Sequence, residues 1–286
     1  MASLQLSVVI VTYNNIGTIR DCLTSLAAAL RGLSYEIHLI DNASRDGTAR
    51  WLASTREPGL PAFQFTANES NLGFTAAVNF GLRKCRGERI LLLNPDVILE
   101  DDTLVRLNAC LDGGDDIGAA APQLRYPDGR VQSSCRRFPR KTHLALDLLR
   151  RASRWHMSDF DHTESRDVDQ PQGAFLLVRG RVLRRIGLLD PGFPMFFSDV
   201  DWCRRIGAAG WRIRFCVHAR ARHLKGASVY PCRDRMIVSS HRSFVRYFSK
   251  YDRNAADRLG TALFHFVLLA ATVPRILWSR LRVESI

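Results

Sequence analysis

Lysine is nearly missing from this 286-residue chain: four of its 41 basic side chains, at positions 84, 141, 225 and 250, are lysine and the rest are arginine. The planar guanidinium suits phosphate, although genomic base composition would fill a surface with arginine equally well. Metal-finger spacing is also missing. The seven cysteines (Cys22, Cys85, Cys110, Cys135, Cys203, Cys216 and Cys232) are odd in number and include no Cys-x-x-Cys pair. That argues against a zinc site and predicts free thiols in a reducing compartment. Long apolar runs are wanting as well. The most apolar stretch, 262–273, has 12 residues and is followed by Pro274, Arg275 and Arg280, short of the roughly 20 that cross a bilayer. No leader-like segment opens the chain, since 6–11 is a short β-like run entering a polar turn; a cytoplasmic location is expected. A Gly-x-Gly-x-x-Gly turn is lacking after that first run, where Thr12-Tyr13-Asn14-Asn15-Ile16-Gly17 stands instead, which sets aside a nicotinamide-dependent oxidoreductase.

What is present is an ordinary globular composition, 46% hydrophobic and 24% charged. It excludes a disordered, collagenous or disulfide-scaffold chain and allows one large domain or two joined ones. The charge is uneven. Residues 1–133 hold 12 basic and 15 acidic groups, whereas 134–286 hold 29 and 13, so the net charge of +13 sits in the second half. An acidic partner is expected against that half.

The first 120 residues alternate short apolar runs with helical periods. Strands are expected at 6–12, 37–40, 63–66 and 90–93, and helices at 16–30 and 74–85, with Ser44 or Asp46 capping a short helix that ends at Leu52. Such alternation means a mostly parallel sheet covered by helices, with ligands beyond the carboxyl ends of the strands. Three strand ends converge there: Thr12-Tyr13-Asn14, Asp41-Asn42 and Asn94-Pro95-Asp96. Beyond Pro122 the pattern predicts a hairpin over 124–132, an exposed helical excursion over 136–170 and a strand at 174–178. A helix at 201–209, a strand at 213–217 and helix from about 233 to the end, interrupted at Pro274, complete it. No internal repeat is visible.

In collinear order over about residues 5–228 stand Val9-Ile10-Val11-Thr12-Tyr13-Asn14, Asp41-Asn42-Ala43-Ser44-x-Asp46-Gly47-Thr48, Asn71-Leu72-Gly73-Phe74 and Leu93-Asn94-Pro95-Asp96. Gly173-Ala174, Gly187-x-x-Asp190, Phe197-Ser198-Asp199-Val200-Asp201-Trp202, Gly210-Trp211 and His223 follow. Any one motif is weak; the ordered set resembles family 2 of the inverting glycosyltransferases. The resemblance implies a GT-A type α/β fold, a mostly parallel nucleotide-binding sheet flanked by helices. It implies a donor-nucleotide half at 1–122, an acceptor half at 123–228 and a basic helical, membrane-associating extension at 229–286. The Asn-Pro-Asp form and the basic tail look most like bacterial rhamnosyltransferases of lipid-linked polysaccharide assembly. That branch implies dTDP-L-rhamnose as donor, with a UDP- or GDP-hexose as the alternative.

Similar proteins use a nucleotide-diphosphate sugar, and the resemblance places Thr12, Tyr13, Asn14, Asp41, Asn42, Asn71, Gly73, Asn94 and Asp96 around it. Tyr13 can stack on a pyrimidine or simply cover the sheet end. Asp41 can accept the N3–H of uracil or thymine alike, while Ser44 and Asp46 read as capping residues. Asn94-Pro95-Asp96 stands where similar proteins carry Asp-x-Asp. Asp96 offers a hard oxygen to Mg²⁺ or Mn²⁺ bridging the diphosphate, although the same tripeptide is ordinary turn chemistry. With one carboxylate fewer, metal binding is expected to need the nucleotide. His223, 24 residues after Asp199, is implied as the second metal ligand, with His218 as its competitor.

Inversion requires a carboxylate that takes the acceptor's proton opposite the leaving group, and its place in the motif makes Asp199 that base. Ser198 replaces the acid usual before it. Asp201 is read as an acceptor contact or as the partner of Arg205, and Gly173 and Ala174 as leaving room for the acceptor. The arginine excess suits a polyprenyl-diphosphate-linked or other glycan acceptor at the cytoplasmic face of the inner membrane. Arg136, Arg137, Arg140, Lys141, Arg150 and Arg151 form one cluster; Arg242, Arg246, Lys250 and Arg253 form another. Segment 262–273 is read first as an interfacial helix, then as one packed on the domain, and last as a spanning one. Nucleic acid competes on charge alone, but the basic half carries no recognisable nucleic-acid motif. The oligomeric state is not written in any motif, and a homodimer is admitted.

Overall fold

The computed structural model describes residues 4–142, 157, 159–224 and 233–281. The run LSVVIVT forms β1 (Leu6–Thr12) and is buried on both faces, as a parallel strand covered by helices on two sides must be. β2 (Tyr35–Asp41), β3 (Gln64–Ala67) and β4 (Arg89–Leu93) lie parallel with it in the order β3-β2-β1-β4. Three helices connect them: α1 (Ile19–Ala29), α2 (Thr48–Ser54) and α3 (Phe74–Leu82). Alternate β1 residues serve two cores. Val8 and Ile10 meet Ile19, Leu23 and Leu26 of α1, and Val9 and Val11 meet Ala77, Val78 and Leu82 of α3. Gly81 permits that second contact, because a Cβ there would stand 2.6 Å from Val9 Cγ1.

The chain continues through β5 (Val97–Leu99), α4 (Thr103–Asp112), β6 (Ile117–Arg125), β7 (Cys135–Arg136), β8 (Arg166–Asp167) and β9 (Gln170–Pro171). Then come β10 (Phe175–Arg179), α5 (Gly180–Ile186), α6 (Ser198–Ala208) and β11 (Arg212–His223). The same sheet extends as β4-β10-β6-β11-β5, with β10 antiparallel to both neighbours and β8 at the side of β11. Residues 1–122 and 123–228, expected as separate donor and acceptor halves, therefore share one nine-stranded sheet, while β7 and β9 pair separately.

Several expectations are corrected here. The helix expected at 201–209 begins at Ser198, which puts Asp199 and Asp201 in its first turn. The strand expected at 213–217 runs 12 residues to His223, because its pairing with β6 and β5 rewards continuation past the bulge after Cys216. Around Pro127-Asp128-Gly129 the chain turns with a single bridge between Arg125 and Val131, not a hairpin of two strands. Within 136–170 the described residues form the short strands β7, β8 and β9, and Lys141 and Thr142 are helical; residues 143–156, on which the expected helical excursion falls, lie outside the described residues, Arg150 and Arg151 among them. Cys110 and Cys216, 106 residues apart, are disulfide-bonded, against the expectation of free thiols throughout. The packing of α4 along β11 brings them together.

Two further helices, α7 (Arg233–Tyr251) and α8 (Ala255–Leu281), complete the fold, and α8 continues across Pro274. They are docked on the body. Phe244, Tyr247 and Phe248 of α7 and Phe264 and Leu268 of α8 form a third core with Phe193, Phe197 and Val200. Lys141, Arg246 and Lys250, expected to face a membrane, are partly spent on Asp252 and Asp190, and Arg137 on Asp159. Among the described residues no helix is long and apolar enough to cross a membrane.

Candidate functional site

The loops after β1 and β2 are laced together. Asn14 adopts a left-handed φ of 55°, which an Asn side chain tolerates. Its N–H donates to Ser44 Oγ at 2.8 Å and its Oδ1 accepts the Arg45 N–H at 2.8 Å. Asp46 takes the N–H groups of Ile16 and Thr48 and the Thr48 hydroxyl, so it closes the start of α2. Thr12 donates to Asp41 Oδ1 at 2.9 Å, and Ser44 donates to both Asp41 oxygens through its N–H and hydroxyl. Asp41 and Thr12 are both fully buried. The two residues expected to meet the base and donor thus also hold the loop together, and Tyr13, 37% exposed, is the side chain that the loop presents.

Asn42 works in the same way. Buried, it accepts the Leu72 N–H and the Asn68 amide and donates to Asn71 Oδ1, fastening the Asn71-Leu72-Gly73 turn to the end of β2. Gly73 sits at φ 84°, and a Cβ there would meet Pro194 O at 3.1 Å. Asn71 remains exposed, Gly73 half-buried. Asn42 thus fixes the position of Asn71.

Asp96 and His223 meet. The sheet brings β11 antiparallel to β5 with His223 opposite Val97, and His223 Nε2 stands 3.5 Å from Asp96 Oδ2. His218 is exposed on the same strand; alternation about the bulge separates the two histidines, and His223 is the one beside the carboxylate. Gln132, which sequence reasoning missed, brackets His223 from behind. Its Nε2 donates to His223 O at 2.7 Å, and its Oε1 stands 3.1 Å from His223 Nδ1. Since Oε1 can only accept, Nδ1 carries a proton, and Nε2 is the ring atom turned toward Asp96. Asp96 Oδ1 is buried with no hydrogen-bond partner among the described residues. An unpartnered carboxylate oxygen beside an imidazole whose Nε2 faces it is a donor set that a divalent cation fits. Among the described residues no group of three His, Cys, Asp or Glu gathers for a metal, so phosphate and water oxygens would have to complete the shell. Asn94 sits half-buried at the end of β4, and its N–H is held by Ala174 O at 2.8 Å.

Asp199 lies in the first turn of α6. Phe197, just before α6, takes a left-handed φ of 70°, a strained state for a bulky residue. Its ring is clamped against Phe244 and Tyr247 at 4.4 and 5.4 Å between centroids. This turn swings Asp199 back toward Gly173, whose N–H donates to Asp199 Oδ2 at 3.1 Å. The Val200 N–H holds Oδ1 at 2.9 Å. Burial pushes the Asp199 carboxyl above the usual aspartate range, against the opposing pull of these N–H groups and of the Arg136 charge.

The residues expected to meet the acceptor are mostly enclosed. Asp201 is fully buried, with Arg205 at 2.9 Å, Lys250 at 2.6 Å and the Tyr251 hydroxyl at 2.8 Å. Ser198 and Ala174 are buried too; α6 and β10 packing encloses them. Gly173 is small for the sake of Asp199, because a Cβ there would stand 2.9 Å from Asp199 Cβ. Asn79, also missed, holds the Gly187–Asp190 region through Leu189 N–H and O at 3.0 and 2.8 Å. A buried amide that brackets a segment 110 residues away has no local sequence signal.

Residues 7–185 match Glycosyl transferase family 2. The chain is 29% identical over 241 residues, 78% of its length and 77% of the relative's, to N-acetylglucosaminyl-diphospho-decaprenol L-rhamnosyltransferase of Mycobacterium tuberculosis. It is 28% identical over 156 residues, 54% of its length and 44% of the relative's, to undecaprenyl-phosphate 4-deoxy-4-formamido-L-arabinose transferase of Pseudomonas savastanoi. Among solved structures, the mannosyltransferase PcManGT of Pyrobaculum calidifontis with GDP-Man and Mn²⁺ superposes with a TM-score of 0.59 at 18% identity, over 96% of this chain and 76% of that one. Staphylococcus aureus TarS 1–349 with UDP-GlcNAc gives 0.56 at 18% identity, over 91% and 71%. From its ordered motifs, its shared GT-A sheet and the match over 7–185, the chain belongs to glycosyl transferase family 2 and is a nucleotide-sugar-dependent glycosyltransferase.

Proposed function

We propose that this protein transfers L-rhamnose from dTDP-rhamnose, with inversion, to a glycan on a polyprenyl-diphosphate anchor at the cytoplasmic face of the inner membrane. The observation that carries the catalytic part is the placement of Asp96 beside His223 at strand ends of the shared sheet and of Asp199, in the first turn of α6, against Gly173 just before β10. Donor and acceptor follow the similarity to the mycobacterial rhamnosyltransferase. A UDP or GDP donor is the second reading, favoured by the ligands of the structural neighbours.

In this reading Tyr13 stacks on the base, and Asn14, Asn71 and Asn94 bond to donor hydroxyls and phosphate, with Gly73 allowing close approach. Asp96 and His223 would hold Mg²⁺ or Mn²⁺, which when bound neutralises charge on the departing diphosphate. Asp199 accepts the proton of the attacking acceptor hydroxyl as the new glycosidic bond forms and the bond to phosphate breaks. Its N–H partners aim the carboxylate, and burial makes it a stronger base than an exposed aspartate. The apolar face of α8, with Leu259, Leu263, Phe266 and Leu269 exposed, supports seating at a membrane interface.

Calorimetric titration with dTDP, UDP and GDP, with and without Mn²⁺, tests this reading. Mn²⁺-dependent preference for dTDP is expected. Preference for UDP or GDP keeps the mechanism and discards rhamnose, and no binding by folded protein overturns the assignment.

A further inference from the structure

A cleft of about 810 Å³ opens between α7 and α8, lined by none of the residues of the candidate site. One wall is cationic. Arg242, Arg246 and Lys250 recur every fourth residue of α7 and so share a face. Across from them α8 supplies Leu268 and Leu269, and Val245 adds apolar surface from α7. Two of the cations share one carboxylate: Arg246 and Lys250 stand 3.3 and 2.7 Å from Asp190. Arg242 is exposed and makes no ion pair among the described residues. Beyond the cleft the apolar surface runs on along α8, where Phe266 is 72% and Leu263 59% exposed.

A surface cationic on one wall and apolar on the other matches an amphiphile with a single anionic head and an apolar chain. A flat sheet of bilayer headgroups would need a flat basic face, whereas here the charge lies within a cleft. We propose that the α7–α8 cleft seats the phosphate end and the first apolar segment of an isoprenoid lipid phosphate, the anchor of the acceptor. The proposal rests on the reading that the acceptor is lipid-linked. Position supports it. Lys250 is 2.6 Å from Asp201, so the charged end of the cleft abuts the first turn of α6, which carries Asp199.

The test is calorimetric titration of the full chain with farnesyl diphosphate, in chelator so that no metal recruits the diphosphate to the donor pocket. Inorganic diphosphate and phosphatidylglycerol vesicles serve as the comparison arms. Farnesyl diphosphate is expected to bind at least about tenfold more tightly than inorganic diphosphate. Arg242→Gln and Leu269→Gln, both at exposed positions, should each weaken it about tenfold while leaving Mn²⁺-dependent nucleotide binding unchanged. Wild-type affinity in both variants overturns the proposal. So does equal binding of inorganic diphosphate, which would mean a plain anion site, or equal competition by phosphatidylglycerol vesicles, which would mean a general membrane surface. Loss of all nucleotide binding with variant-sensitive farnesyl diphosphate binding retained would overturn the donor reading and leave the cleft assignment standing.

Discussion

The Gly173 N–H donates to Asp199 Oδ2 at 3.1 Å, and a Cβ on residue 173 would stand 2.9 Å from Asp199 Cβ. Glycine at 173 is thus a requirement of the carboxylate's position. Gly173→Ala should displace Asp199 and lower kcat about 100-fold with nucleotide affinity unchanged. Steady-state kinetics beside nucleotide titration would separate the two, and an unchanged kcat would remove the constraint.

Asp199→Asn should leave donor binding nearly intact while turnover falls by roughly three or more orders of magnitude. The pH profile carries an independent sign. In the proposed mechanism Asp199 acts as the ionised base, and burial raises its pKa, so kcat/KM should rise with pH through a midpoint above that of an exposed aspartate. A midpoint at or below the ordinary value would contradict the buried-base arrangement.

Gln132→Ala should free the His223 ring and raise the Mn²⁺ concentration needed for half-maximal activity about 10- to 100-fold. Gln132→Glu, which keeps an acceptor for Nδ1–H, should recover part of the loss. Metal titration at saturating nucleotide checks both.

Asp190 ties α7 to the body. Burial disfavours its charge, but hydrogen bonds from Lys250 and the Gly192 N–H, with the charges of Lys250 and Arg246, outweigh that and hold its pKa down to about 2. A depressed carboxylate stabilises the fold above the unfolded-state pKa of about 4 and loses that contribution as pH falls toward 2. Asp190→Asn should therefore be destabilising at neutral pH, with the difference from wild type shrinking between about pH 4 and pH 2. Chemical denaturation at a series of pH values would show it.

Phe264 is 6% exposed among Phe244 and Phe248. Phe264→Ala should cost about 3–5 kcal/mol of stability by leaving a cavity between α7 and α8. Denaturant midpoints measure this; a near-zero change would mean that α8 is not docked in solution.

The sequence by itself determined the layered α/β fold, since alternate apolar runs and helical periods over 6–93 can bury their faces only in a helix-covered sheet. It also marked Asp96, His223 and Asp199 through ordered motifs. It could not say which polar residues would also be bonded within the fold. Thr12, Asp41, Asn42 and Asp201 have the same chemistry as exposed ligand residues, and only the folded chain shows their atoms bonded to Ser44, Leu72, Arg205 and Tyr251. Tertiary structure also decided the partners of the site. Gln132 reaches His223 across 91 residues, and Cys110 meets Cys216 across 106. Both depend on how β11 docks in the sheet, which no local periodicity records. The two C-terminal helices show the same division: their apolar content was legible, but which face packs on Phe197 and which stays open was settled by the docking of α7 on the first turn of α6.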